Sequence, residues 1–252
     1  MIEGRRRGRS YRIKTRNVRA FTLAAPEKVT ALQVDGTNIQ VAPQDSGTLR
    51  LRRVERRWQR AVKGSPTGGK VHGLSGPLDD IWYGGFFIAV GTQDPLQTEA
   101  NRLAAEELRR YNVRSSVSVP IFDDVDVTDA MLKSRSVMLI GNPRSNVITR
   151  RAISSLPVAF DKAGLTFGGK RWEGKDVGVS MIFPSPFAPS RYLVLHAGVT
   201  RSGTLSARNL PELVPDYLVY DLGMRAQYGA KLLDRRTVLT GGFFDRNWSL
   251  GD

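Results

Sequence analysis

Chemistry in this chain has to come from a serine, a carboxylate, an arginine or a loop amide. Its 252 residues contain no cysteine and only two histidines, His72 and His196. That composition excludes a thiolate nucleophile, a disulfide framework and Cys-ligated zinc or iron–sulfur centres, and it leaves too few imidazoles for a multi-histidine metal site. An α/β serine hydrolase carries its nucleophile in G-x-S-x-G, where the flanking glycines relieve crowding on a strained turn. No such pentapeptide occurs. Gly73-Leu74-Ser75-Gly76-Pro77 comes nearest, but its second glycine falls one place early and no strand precedes it. Ser75, although close to His72, therefore reads as a loop serine. His196 ends an apolar run, and Ser180 on the neighbouring strand can face it, either as a serine–histidine pair or with the histidine satisfied inside the core.

Anion and cation sites are weighed in the same way. The phosphate-cradling loop G-x-x-x-x-G-K-[ST] is absent, and Gly84-Gly85 precedes its strand, so there is no dinucleotide fingerprint. Gly141-Asn142-Pro143-Arg144-Ser145-Asn146 can offer amides and Arg144 to an anion at a helix N-terminus, or can be a capped turn. Gly91, Thr92 and Asp94 form a second candidate loop. Asp123, Asp124, Asp126 and Asp129 cluster without the spacing, glycine or glutamate of a calcium loop, and read as a solvated loop with a helix cap. No cofactor and no metal are expected.

Charge is concentrated at one end. The formal net charge is +14; residues 1–63 hold 16 Lys+Arg against 5 Asp+Glu, and residues 64–252 hold 22 against 19. Residues 1–10 read as a basic leader or as the remnant of a protease-cleavage linker, Ile2-Glu3-Gly4-Arg5, with no apolar core for a secretory signal. No recognised nucleic-acid motif accompanies the arginines, so nucleic acid is disfavoured and a solubilising or partner-facing role is preferred. The longest apolar runs fall far short of the roughly 20 residues needed to span a bilayer.

Two kinds of periodicity must position these residues. From Tyr11 to Trp58 short bursts such as Tyr11/Ile13, Leu32/Val34 and Leu49/Leu51 alternate with polar residues, with turns at Ala25-Pro26, Asp35-Gly36 and Asp45-Ser46-Gly47. A small antiparallel β-unit over residues 11–63 is predicted. Its arginines at 12, 16, 19, 50, 52 and 53 would stand mostly on the solvated face. Residues 64–85 read as a linker or loop. Beyond it the pattern predicts strands at Phe86–Val90, Val117–Ile121 and Ser136–Ile140, and helices over Thr98–Tyr111, Thr128–Lys133 and Val147–Ser155, the last capped by Ser145 or Asn146. A hairpin around Gly168-Gly169 follows. Strands at Val177–Phe183 and Tyr192–Ala197 flank a proline-rich loop, and Tyr217–Tyr220 is read as the last strand. The expectation for residues 86–252 is an α/β domain, a flavodoxin-like or Rossmann-like open, mostly parallel sheet. Its ligand loops would lie at the strand C-terminal ends, at 91–94, 141–146 and 196–200.

A string of segments in fixed order carries a family resemblance: Lys70-Val71-His72-Gly73-Leu74-Ser75-Gly76-Pro77-Leu78-Asp79-Asp80, Asp126-Val127-Thr128, Leu139-Ile140-Gly141-Asn142-Pro143-Arg144, Phe167-Gly168-Gly169-Lys170, Phe183-Pro184-Ser185-Pro186-Phe187 and Arg191-Tyr192-Leu193-Val194-Leu195. Together, over about Ile13 to Asp221, they resemble the C-terminal accessory region of bacterial prolyl oligopeptidase-like α/β-hydrolases. The resemblance implies an exported parent protein, periplasmic or extracellular, whose catalytic triad lies in an upstream domain, so no triad residue transfers to this chain. It implies a non-catalytic accessory module that packs on a hydrolase domain or another protein surface, or helps recruit substrate, with self-association left open. Two alternatives stand beside it: an esterase or peptidase built on Ser180 or Ser75 with His196, and a nucleotide- or anion-binding protein using residues 141–146.

Overall fold

A computed structural model describes residues 1–25, 29–41, 47–54, 56–60, 69–111, 118–210, 213–221 and 238–250. The chain divides into two units, Met1–Thr67 and Gly68–Asp252.

In the first unit the alternating pattern yields seven short strands: β1 (Ile2–Arg7), β2 (Ser10–Thr15), β3 (Ala20–Ala25), β4 (Ala31–Val34), β5 (Thr37–Ile39), β6 (Gly47–Val54) and β7 (Arg57–Arg60). They form one sheet of order β1-β2-β4-β5 and another of order β3-β6-β7. Side chains on a strand point alternately to its two faces. Ile13, Leu32, Val34 and Ile39 of the first sheet therefore join Leu49, Leu51 and Trp58 of the second in a single buried cluster. Each such side chain contributes on the order of 1.5–3 kcal/mol relative to exposure. Asp35 and Gly36 both adopt positive φ, +46° and +80°, which is the turn that matches the twist of a two-residue hairpin between β4 and β5. The Asp35 side chain then ties the sheets together, accepting from Thr15 N (2.6 Å) and from Trp58 Nε1 (2.8 Å).

Two expectations change here. Residues 2–7 are a full strand of the sheet, paired antiparallel from Ile2 opposite Thr15 to Arg7 opposite Ser10. And β2 pairs with β4 in parallel, so the unit is not purely antiparallel. The expected turns at Pro26 and Asp45-Ser46, linker residues 64–68 and Val117 lie outside the described residues.

The second unit begins before the expected domain start at residue 86. Val71 and Leu74 form a bridge, and Leu78–Tyr83 is a 3₁₀ helix whose Leu78 and Ile81 are buried in the core. The main elements are β8 (Phe86–Val90), α1 (Pro95–Tyr111), β9 (Ile121–Asp123), α2 (Asp129–Ser134), β10 (Ser136–Ile140), α3 (Val147–Ala152), β11 (Val158–Phe160), β12 (Gly164–Phe167), β13 (Lys170–Glu173), β14 (Gly178–Ser185), β15 (Ala188–Gly198), α4 (Arg201–Ser206), β16 (Tyr217–Tyr220) and β17 (Val238–Gly242). Strands β11 to β13 make a small antiparallel sheet, and the other seven order as β17-β16-β14-β15-β10-β8-β9.

The open, mostly parallel flavodoxin-like or Rossmann-like sheet is not what forms. Strands β9, β8, β10 and β15 are parallel, but β15, β14, β16 and β17 pair antiparallel. The sheet is mixed, the chain is strand-rich, and α1 is the one α-helix longer than six residues among the described residues. The physical reason lies in the connections. Parallel neighbours need a crossover of a dozen or more residues, and only Pro186-Phe187 separates β14 from β15. The proline-rich segment read as a loop is mostly strand, with Pro184 opposite Tyr192 and a register shift between Pro184 and Ser185. No helix among the described residues is long and apolar enough to cross a membrane.

Candidate functional site

The three loops at the C-terminal ends of the parallel strands do meet. Gly91 N donates to Ile140 O, Gln93 N to Ser145 O and Gly141 N to His196 O, each at 2.9 Å. The Asn142 amide reaches Gly198 O (2.8 Å) and Val199 O (3.2 Å), and Arg144 donates to Val199 O at 3.0 Å. The approach is close enough that a Cβ on Gly91 would lie 2.5 Å from Ser145 O.

Most donors and acceptors in this cluster are spent on one another; the buried Asn101 donates to Gly91 O (2.8 Å), and its Oδ1 has no partner among the described residues. Asn142 Oδ1 accepts from Arg144 N and Ser145 N while its amide group serves Gln97, Gly198 and Val199. Asn146, fully buried, caps α3 by accepting from Ile148 N and Thr149 N, and donates to Ala89 O and Ile140 O. Asp124, also fully buried, takes Thr92 N (3.0 Å), Thr92 Oγ1 (2.6 Å) and Val147 N (2.7 Å). Asp94 caps α1 by accepting from Leu96 N and Gln97 Nε2. The first N–H groups of α3, which an incoming phosphate would need, are thus held by Asp124 and Asn146. This cluster is an internal splice of three loops, and it stabilises because buried polar groups left unpaired would cost about 1–3 kcal/mol each.

The acidic run is dispersed by the fold. Asp124 turns inward, Asp123 pairs with Arg102 (2.8 Å) and Asp129 with Arg151 (2.7 Å). Among the described residues no three metal-ligating side chains gather.

Ser180 and His196 are brought together, opposite each other on β14 and β15. Ser180 Oγ lies 2.7 Å from His196 Nδ1 and 3.1 Å from Tyr220 Oη. All three residues have zero solvent exposure, and His196 Nε2 has no partner among the described residues. A hydrolytic histidine needs the opposite arrangement, an accessible serine on one nitrogen and an orienting carboxylate on the other. Burial also pulls the His196 pKa down to about 3 and pushes that of Tyr220 up, so the imidazole is a neutral core group. Ser75 is elsewhere: its N–H and that of Gly76 donate to Tyr192 Oη at 2.6 and 3.0 Å, and Tyr192 donates to Asp80. Lys70, which opens the first segment of the resemblance with no role attached to it, is a further anchor. It pairs with the buried Asp216, which also accepts from Phe244 N (2.9 Å), and its ammonium sits 5.0 Å from the Trp248 ring centre.

The first unit carries a polar sheet face. On the sheet face opposite the core, Arg5, Arg12, Gln33 and Asn38 are successive cross-strand partners, one from each of the four strands, and Arg7, Ser10 and Ala31 form the adjoining row. The small side chains of Ser10 and Ala31 leave a depression in the sheet surface. With Arg5, Arg7, Arg12, Gln33 and Asn38 around it, the concavity has a volume of about 580 Å³, and among the described residues no acidic residue lines it. Periodicity placed Arg12 on a solvated face; it missed Arg5 and Arg7, assigned to a leader, and Ser10, Ala31, Gln33 and Asn38, whose meaning depends on register.

No family model matches the chain, and no curated protein matches it.

Proposed function

We propose that the chain acts as a non-catalytic accessory module that engages an anionic partner through its arginine-rich β-unit. One observation carries this reading: the three guanidinium side chains of Arg5, Arg7 and Arg12 are exposed around a concavity that, among the described residues, no acidic residue lines, an arrangement that favours an anion and steers one toward it. The larger unit supplies mass and surface for packing on a further domain, as the resemblance to an accessory region implies for a hydrolase. In keeping with this, the Ser180–His196 pair is sealed, and the donors of residues 141–146 are bound internally.

The purified full chain tests the reading on short p-nitrophenyl esters and aminoacyl-p-nitroanilides. The expected result is no turnover above buffer. Turnover that disappears in His196→Ala would overturn the module reading and establish the hydrolase alternative.

A further inference from the structure

We infer that the concave face of β1, β2, β4 and β5 binds an acidic polysaccharide, with sugar carboxylates or phosphates on the arginine row and sugar hydroxyls on the amides. The inference rests on the accessory-module reading and names its ligand class.

Register is the first support. Arg5 and Arg12 are directly opposite, a placement in which like charges destabilise the sheet. Arg7 follows two residues along the same strand, about 7 Å away. Lys14 at the far end has Glu3 opposite it, whereas these three arginines have no acid among the residues that line the concavity with them. A cluster of guanidinium groups retained at that cost suits planar, multiply charged oxyanions, which they grip in bidentate fashion.

The floor is the second support. Ser10 and Ala31 are the small residues between Arg7, Arg12 and Gln33, and the volume of about 580 Å³ falls within the range of small-ligand sites. Gln33 Nε2 donates to Asn38 Oδ1 at 3.1 Å, which orients both amides and leaves the Asn38 NH₂ and the Gln33 carbonyl oxygen to serve hydroxyl groups. The same face disfavours nucleic acid. Its one lining aromatic, Tyr11, packs toward the core cluster with Arg6 5.7 Å from its ring centre, so nucleobases have no stacking platform. Ala31, Leu32, Ile39 and Val41 also line the concavity, and the vesicle arm of the experiment separates a lipid surface from a polysaccharide.

Fluorescence polarisation with labelled polygalacturonate and the full chain tests this, with neutral dextran as the uncharged control. Wild type should bind polygalacturonate and not dextran. Arg7→Glu/Arg12→Glu should weaken binding about tenfold or more and flatten its salt dependence. Ala31→Tyr, which fills the floor without changing charge, should weaken it comparably. Arg50→Glu/Arg57→Glu, exposed on the other sheet, carries the same charge change and should cost about twofold; circular dichroism confirms that each variant folds. Equal losses in both double variants, an unaffected Ala31→Tyr, tighter binding of a 20-residue oligothymidylate or of phosphatidylglycerol vesicles, or no binding at all would each overturn the polysaccharide assignment. Oligothymidylate held by Arg7 and Arg12 would do so while leaving the accessory module standing, and only ester or anilide turnover removes the module itself.

Discussion

The two units treat polar residues in opposite ways. In the larger one, Asn142, Asn146, Asp124, Ser180 and His196 lie within the core or the loop splice, at no more than 1% exposure, and the hydrogen bonds of the first three hold backbone segments together. In the smaller one, Arg5, Arg7 and Arg12 stand on the sheet face opposite the core side chains Ile13, Leu32 and Val34 and ring a depression. Residue types that look chemically promising are structural where they are sealed. Charge becomes available for binding where it is exposed and unopposed.

That contrast can be broken, and the test with the largest expected effect is Asn142→Ala. It strips partners from two amides and two carbonyls and should cost about 3–5 kcal/mol in urea unfolding followed by tryptophan fluorescence. A loss below about 1 kcal/mol would mean that the loop cluster is not structural, and the contrast would fail. Gly198→Ala should cost a comparable amount, about 3 kcal/mol, because its Cβ would fall 2.2 Å from Thr204 N and push α4 off the sheet. A Gly198→Ala protein with unchanged stability would place α4 elsewhere.

The pH dependence sharpens the same comparison. His196 binds a proton in the unfolded chain below its ordinary pKa of 6.5 but in the fold only near pH 3. Folding stability should therefore fall as pH drops below 6.5, approaching about 1.4 kcal/mol per pH unit from this one group. His196→Gln should remove that slope, and an unchanged slope would show that His196 is not sealed. In the smaller unit, burial pushes the Asp35 carboxyl up, but hydrogen bonds from Thr15 and Trp58 and the charge of Arg53 outweigh it and set its pKa below the ordinary value of 3.8. Its contribution is complete above that value and is withdrawn as pH falls through the folded pKa, so Asp35→Asn should alter only the most acidic part of the melting profile. The smallest effect belongs to Arg12→Glu. Stability should change by no more than about 0.5 kcal/mol, toward stabilisation, because a repulsion from Arg5 becomes an attraction.

How much of this was legible depends on the range of the interaction. Strands with one strong signature, Phe86–Val90 and Ser136–Ile140, are legible directly, as is α1 from Thr98 onward; the cap of α3 narrows to Ser145 or Asn146, and the fold uses Asn146. Their cues are local: continuous apolar runs, helical spacing, a capping side chain. Strand direction was not local. Whether β14 runs with or against β15 turns on two residues, Pro186-Phe187, in a segment whose prolines suggested a loop. The candidate loops lie together, yet the carbonyls to which Asn142 donates and the groups that donate to Asp124 lie 23 to 57 residues away, beyond the reach of any spacing rule. The basic face was hidden for a similar reason. Arg5 and Arg12 become neighbours only once residues 2–7 are seen to be a strand, and nothing in Arg5-Arg6-Arg7 alone distinguishes a strand from a tail.

The tight turn at Pro186-Phe187 also bears on how quickly the larger unit assembles. Strands β14 and β15 meet across two residues, so that hairpin closes almost without loop entropy, whereas β10 and β15 must join positions more than fifty residues apart, such as Ile140 and His196. Local pairing should precede distant pairing. The strand that seals His196 against Ser180 is thus expected to be in place before β10 arrives, which makes β15 the template on which the parallel half is laid down. Substitutions at the turn should slow refolding, and those at the β10–β15 seam should chiefly hasten unfolding.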